Sequence, residues 1–405
     1  MADLRPFFAY RPPTSLVERV AAPPYDVVST AEARALAEGN PHSFLHVSRP
    51  EIDLAEGIDE HSDPVYDRGR DNLRRLVETG DLVKDPDPHL YVYAQRMGDH
   101  RQVGVVACAS VAAYDADRIK KHEKTRPDKE DDRTTHIDRL GAHDEPVFLT
   151  YEASAEVDAF IADAMKGDPE YDFESVDGVG HRLWTLDVEA SRELAALFEA
   201  KVGDLYVADG HHRSAAASRV HAQRKGDGGE HDVFLVVAFP HDQMMILPYN
   251  RVVKDRQGRD AAGLLAALKE KMDVVRSDEP APDVPGSFGI YLGGQWYRAT
   301  ALPGSYDAQH PIEGLDCQIC QDQILAPIFG IDDPRRDESI AFVGGIHGHR
   351  ELERRVDAGE ADIAIYLHAT KMEQVMAVSD AGLVMPPKST WFEPKLKSGL
   401  FVHMF

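Results

Sequence analysis

The 405-residue sequence predicts an α+β protein in two parts, and three observations lead there. Short apolar runs of strand length, such as 147–151 and 233–239, are interspersed with amphipathic stretches of helical period. Two further runs, 90–95 and 102–111, flank Met97-Gly98-Asp99-His100 as the arms of a hairpin. The chain is long enough for two cores, and a second unit starts near Leu247, so the expected division is 1–245 and 246–405.

The chain opens Pro-rich, with Pro12-Pro13 and then Pro23-Pro24 ahead of Tyr25-Asp26. Ser29 with Glu32 three places on reads as a capping box, and the helix it starts ends at Gly39. Asp26 is either a local turn residue or an acidic member of a site. Residues 44–48 read as a strand. Asp63-Pro64 opens a helix with Pro at its first position, Tyr66, Leu73, Leu76 and Val77 on its apolar face, and Gly80 at its end. The second hairpin arm is apolar nearly throughout and is expected to be buried on both faces.

Residues 118–139 have the most unusual composition in the chain. Lys120, Lys121, Lys124 and Arg126 fall within seven residues of an otherwise acidic protein, with Glu123 among them. One reading is a solvated loop and helix; the other is a basic cluster that receives an acidic ligand. Its cations would keep Glu123 ionised. A strand at 147–151, a helix near 155–165, a strand at 182–186 and a helix at 193–202 follow.

Residues 205–208 then form a short buried strand, Asp209-Gly210 breaks it, and a helix from Ser214 runs to about Lys225, closed by Gly226. Strand, glycine turn and helix start make an anion site, because the first-turn amides have no intrahelical acceptor. Arg213 adds a planar fork suited to phosphate. Asp209, at the strand end, is placed to cap the helix or to hold a divalent cation. An ordinary turn and N-cap would need only Asp-Gly; His211, His212 and Arg213 in the next three places exceed that need. The adjacent histidines do not share a helix face, so they are a poor metal pair.

In the second part, 261–272 is an amphipathic helix, 278–285 a Pro-rich loop, and 288–292 with 296–302 a hairpin. Strand 340–343, helix 350–357 and strand 363–368 follow. Cys317 and Cys320 form a lone CxxC without further ligands at zinc spacing, so packing is expected there and no zinc. Thr370 with Glu373 reads as the cap of a helix ending by Gly382. The tail then carries Lys388, Ser389 and Thr390 between prolines, one cation and two hydroxyls. These either meet phosphate or carboxylate or seal the terminus against the core.

Composition narrows the function classes. A net charge of −25 argues against non-specific binding to nucleic acid or anionic membranes. No apolar stretch has membrane-spanning length and no charged-then-apolar leader is seen, so a cytoplasmic location is expected. Three cysteines suit a reducing compartment.

Over nearly its full length the chain resembles domain-of-unknown-function family 1015. The resemblance rests on AAPPYDVVS, NPHSFLHVSRPEIDL, KKHEKTRPDKEDDRTTHI, YVADGHHRSAAA and MPPKSTWFEPKLKSGL. The DGHHR segment, Asp209 to Arg213, is similar to the phosphate-binding signature of the ParB/sulfiredoxin-like fold, in particular of the free serine kinases that share it. That resemblance implies a ParB/sulfiredoxin-like mixed-sheet core with a second α/β unit, and a segment lying beside nucleotide phosphates and metal. It implies phosphoryl transfer from a nucleotide, ATP or ADP, to a small hydroxyl compound such as serine, with Mg²⁺. In this reading Gly210, His211, Arg213 and Ser214 cradle phosphate and Asp209 binds Mg²⁺ or orients the acceptor. His212 joins the catalytic group. Glu123 is the proton acceptor, with Asp26 in reserve. Lys121 and Arg126 steer the anionic ligand, and Lys388, Ser389 and Thr390 complete the site. The partners expected are a small molecule and a nucleotide. Two alternatives remain, a nucleotide-operated switch of ParB type and a metal-dependent phosphatase. The oligomeric state is left open.

Overall fold

In the computed structural model, which describes residues 2–224 and 229–405, the chain divides into two compact units. The sequence-expected helix stop at Gly226 lies outside the described residues. The first unit is Met1–Met244 together with Pro394–Phe405, and the second is Met245–Glu393.

Among the described residues the first unit is built on a nine-stranded mixed sheet. Its main path runs Ile119–Lys120, Leu205–Asp209, Val147–Tyr151, Val233–Pro240, His100–Ser110, Tyr91–Met97, Gly180–Thr185 and Tyr171–Glu174. Leu4–Arg5 pairs with the far end of His100–Ser110. Ile119–Lys120 runs parallel to Leu205–Asp209, and Val147–Tyr151 parallel to Val233–Pro240; the other pairs are antiparallel. Val147–Tyr151 and Val233–Pro240 are buried at every residue, as sequences apolar but for Thr150 require, and the Thr150 hydroxyl donates to the Phe239 carbonyl at 2.9 Å. Helices Ala155–Ala164 and Val188–Lys201 bring Val157, Ile161, Leu194 and Phe198 into one cluster with Val105, Leu149 and Val236. Each such side chain contributes roughly 1.5–3 kcal/mol of transfer free energy.

A second cluster in this unit corrects one expectation. Residues 44–48 are not a strand: Leu45–Ser48 is a short helix whose Leu45 and Val47 pack with Leu73 and Leu76 of helix Asp63–Glu78. A five-residue segment with three apolar residues has no readable period, and the Ser43 hydroxyl, which accepts the Leu45 N–H at 3.3 Å, starts a turn. The capping box at Ser29 and Glu32 forms as expected.

The chain's last twelve residues return to the first unit. Val402 bridges Tyr10, His403–Met404 pairs with Ala142–His143, and the Phe401 ring lies 4.9 Å from that of Tyr91. The tail thereby brings Lys395 and Ser398 into the unit that carries 209–213.

The second unit has a six-stranded antiparallel sheet in the order Met272–Arg276, Gln295–Ala301, Ser287–Leu292, Ile363–Leu367, Tyr249–Val253, Ile340–Gly344. Leu352 of helix Gly348–Asp357 packs on this sheet with Val252, Trp296 and Val343. The helix after residue 370 starts one residue later than expected. Lys371 is its N-cap and Gln374 accepts the Lys371 N–H at 2.9 Å, while the Thr370 hydroxyl donates instead to the Ser389 carbonyl at 2.9 Å. Cys108, Cys317 and Cys320 are buried free thiols, and burial pushes Cys320 up to about 12. Among the described residues no helix is long and apolar enough to cross a membrane.

Candidate functional site

The Leu205–Asp209 strand ends in an irregularity. Its register against Val147–Tyr151 slips between Val207 and Asp209, which re-aims the last side chain. Gly210 follows with φ +94°, a left-handed conformation that returns the chain at once into helix His211–Gln223. The helix therefore begins at His211, three residues before the position expected from the alanine run, because the turn is completed within one residue. The His211, His212 and Arg213 amides occupy its first turn, where no intrahelical acceptor exists. A Cβ at Gly210 would lie 3.1 Å from the Arg213 guanidinium. Gly210→Ala is expected to cost about 1–2 kcal/mol from the left-handed backbone alone. A shift in denaturant midpoint at unchanged m checks it.

Asp209 is held from two sides. One carboxylate oxygen accepts the Gly210 N–H at 2.8 Å and the other meets the Lys395 ammonium at 2.8 Å. Burial pushes this carboxyl up, but Lys395 and Arg213 together outweigh it and hold it well below the usual carboxylate range. Lys395 stands 186 residues away, in the quoted tail segment, and no local pattern singles it out.

Arg213 turns inward. Its guanidinium donates to the Pro146 carbonyl and lies 3.9 Å from Glu145, with only 9% of its side chain exposed. Glu145 accepts the Tyr25 N–H at 3.0 Å and the Ser398 hydroxyl at 2.7 Å on one oxygen. Burial raises Glu145 to about 7 against the attraction of Arg213. Arg133 stacks on the Tyr25 ring at 4.0 Å and pairs with Asp132 at 2.9 Å. A cavity of about 10 Å³, room for one water, lies among Arg133, His136, Asp144, Glu145 and Arg213. Glu145, Tyr25 and Arg133 are members of this network that the sequence reading passed over.

A carboxyl near 7 when folded and near 4.5 when unfolded binds more protons in the folded state between those values. Its contribution to stability is therefore whole below about 4.5 and is lost as pH rises through about 7. Glu145→Gln keeps an acceptor for Tyr25 and Ser398 and removes the titration. Subtracting its stability from that of the wild type should leave a difference that declines across this window. A flat difference would assign the proton elsewhere.

The 120–126 run does reach the turn. Ile119–Lys120 pairs with Leu205–Asp209, the His122 ring packs edge-on against His211 at 4.4 Å, and Glu123 comes within 3.8 Å of His211. The Arg126 N–H donates to His212 Nε2 at 3.2 Å, so His212 holds this backbone beside the helix start. Burial lowers His212 and brings His122 down to about 4. Asp26 is exposed yet close enough for its charge to act on Arg213, His212 and Glu145. The two cations expected to steer a ligand have other partners. Lys121 donates to the Tyr114 carbonyl at 3.0 Å and meets Asp117 at 3.2 Å, and the Arg126 guanidinium pairs with Asp128 at 2.7 Å. Ser214 is wholly buried and its hydroxyl returns to the His211 carbonyl at 3.0 Å.

Lys388, Ser389 and Thr390 belong to the second unit. Lys388, at φ +56°, places its ammonium 3.3 Å from the Tyr249 hydroxyl. Ser389 donates to the Pro386 carbonyl and lies 3.1 Å from the Cys317 sulfur.

For a cation, Asp209 supplies the hard oxygen that Mg²⁺ prefers, each of its oxygens keeping a further lone pair. One ligand atom each from His122, Glu123 and His211 lie within 4.8 Å of one another, and His122 Nδ1 and His211 Nε2 have no hydrogen-bond partner. That nitrogen-rich set suits a transition ion better than Mg²⁺.

A family model described as "Protein of unknown function (DUF1015)" matches residues 4–318. Among solved structures, a free serine kinase in complex with AMP is 15% identical, with 71% of this chain and 86% of that one covered at TM-score 0.36. SbnI from Staphylococcus aureus, truncated at its C-terminus, is 12% identical over 72% and 85%, at TM-score 0.38. A conserved hypothetical protein from Pyrococcus furiosus is 14% identical over 73% and 95%, at TM-score 0.35. Likeness at this level leaves the site's chemistry to be read from its own residues. No curated protein matches the chain.

Proposed function

We propose, for a chain that belongs to the DUF1015 family, nucleotide-dependent phosphoryl transfer to a small hydroxyl compound, with serine or a relative as acceptor. The observation that carries the reading is the turn itself. A left-handed glycine directs the first amides of a thirteen-residue helix beside a carboxylate held by a lysine. Phosphoryl transfer needs positioning and charge stabilisation more than a special nucleophile, and this arrangement supplies both.

The His211 to Arg213 amides hold the phosphates, and Lys395 exchanges its partner Asp209 for the incoming anion. Arg213, turned inward, acts as a positioning residue and adds positive potential from below. Mg²⁺ arriving with the nucleotide would be held by Asp209 and would spread the charge on the phosphates. Glu123, with 56% of its side chain exposed, accepts the proton of the acceptor hydroxyl. His211 beside it stays neutral because burial and His122 lower it far below its usual value.

The test is one reaction mixture of protein, Mg²⁺, ATP or ADP, and serine, followed by mass spectrometry. Phosphoserine that requires nucleotide supports the reading. Phosphate release from phosphoserine without nucleotide would establish a phosphatase instead. Bound nucleotide with slow hydrolysis, and no phosphorylated product across a panel of hydroxyl acceptors, would establish the switch.

A further inference from the structure

The second unit contains a cavity of about 520 Å³ within small-ligand size, and its lining is chemically unfinished. Arg251, on the Tyr249–Val253 strand, lines it and is 97% buried, its residue retaining 3% exposure. Two of its donors reach backbone carbonyls, those of Tyr249 and, at 3.2 Å, Lys388. Its Nε–H has no acceptor, and among the described residues no carboxylate comes within ion-pair distance of it. The Phe342 ring, 5.3 Å away, is its other notable neighbour. A buried cation without a counter-charge is costly. The charge is felt: it draws the Cys317 and Cys320 thiols down against the burial that raises them.

The same cavity has an acceptor lacking a donor. Gln321 donates its amide N–H to the Ile331 carbonyl at 2.7 Å, while its buried Oε1 has no partner. Gln321 and Asp322 open a π-helical turn, Gln321–Leu325, a geometry that inserts an extra residue per turn and is frequent at functional sites. Asp322, which accepts the Gln318 amide at 2.9 Å, and Asp332 are exposed lining residues, and Asp333 is occupied by Arg335 at 2.8 Å.

We propose that this cavity binds a small zwitterion of the α-amino acid class, its carboxylate on Arg251 and its ammonium toward Gln321 Oε1, Asp322 and Asp332. The charges select against other classes. Lining carboxylates outnumber lining guanidiniums by three to two, so a polyphosphate would be repelled while one carboxylate carrying its own cation is matched. Arg251 gives the carboxylate an unpaired donor, and Gln321 gives the ammonium an unpaired acceptor. The site lies wholly in the second unit and does not depend on the phosphoryl-transfer reading.

The experiment uses the full chain without nucleotide or metal. Calorimetry with the twenty standard amino acids should find at least one that binds one per chain. Propionate and ethylamine, each lacking one of the two charges, should bind at least roughly tenfold more weakly, the worth of a lost charged hydrogen bond. Arg251→Lys keeps the charge but not the fork and should weaken binding by roughly tenfold or more. Should that buried variant fail to fold, Asp322→Asn, at an exposed position, carries the test: it should weaken the amino acid and leave propionate unchanged. No binding by any amino acid at roughly 1 mM would overturn the proposal. So would propionate or inorganic phosphate binding as well as the best amino acid, or binding indifferent to both variants.

Discussion

Replacing Arg213 with Met is expected to destabilise the first unit by about 3 kcal/mol near pH 8, the effect of removing one partner from a buried charge pair. Near pH 5 the loss should be smaller. The guanidinium is held by the Pro146 carbonyl and stands 3.9 Å from Glu145, whose second oxygen is buried without a hydrogen-bond partner. Without Arg213, an ionised Glu145 would keep the Tyr25 and Ser398 hydrogen bonds and the more distant Arg133, but would lose its strongest attraction while still facing Asp144 and Asp26. Below about 7 Glu145 keeps its proton, so little charge is left uncompensated. Hydrogen exchange of the central strands at the two pH values reports the first unit apart from the second. Adding Glu145→Gln to the variant should recover part of the loss at pH 8, because the two side chains are coupled. Equal losses at both pH values would show that Arg213 contributes packing rather than charge.

Asp209→Asn should lower phosphoryl transfer by about 10²–10³-fold, the scale of losing one preorganised electrostatic group. Asparagine can still accept the Gly210 N–H, so the turn should survive. The lost ion pair with Lys395 joins side chains 20% and 30% exposed, between the surface and the buried case, and should cost about 1–3 kcal/mol. Affinity for the nucleotide without Mg²⁺ should hold or improve, since a carboxylate next to phosphates has gone and Lys395 is released toward them. The fall should therefore appear in kcat rather than in binding. A variant with normal turnover and bound nucleotide would exclude Asp209 from the chemistry.

Periodicity and punctuation made the local elements legible. The run at 233–239 is wholly apolar and that at 147–151 is apolar but for Thr150, and they became central strands because only a strand covered on both faces tolerates such a sequence. Ser29 with Glu32, and Asp63-Pro64, marked helix starts by chemistry that acts within one turn. The strand-glycine-helix reading at 205–213 belongs to the same class, since it needs no distant partner. Residues 44–48 show the limit of such reading. Three apolar residues, Phe44, Leu45 and Val47, carry no period, and their helical form follows from what Leu45 and Val47 pack against.

The electrostatics of the site were decided by tertiary structure alone. Lys121 and Arg126 stand out as cations only by their clustering in the chain, and in the fold they pair with Asp117 and Asp128. The lysine that meets Asp209 comes from the tail, 186 residues on, brought there by the return of Pro394–Phe405 to the first unit. Arg213 was legible as a charge beside a helix start, but its inward direction was not, because that depends on the Pro146 carbonyl and on burial. Glu145 is one acid among seventy acidic residues in the sequence. Its raised affinity for a proton exists only once folding removes its water and sets Arg213, Asp144 and Ser398 around it. Residue type and spacing thus determined where the chain turns and which chemistry it carries, whereas the state of each charged group followed from long-range contacts and desolvation, which no local pattern encodes.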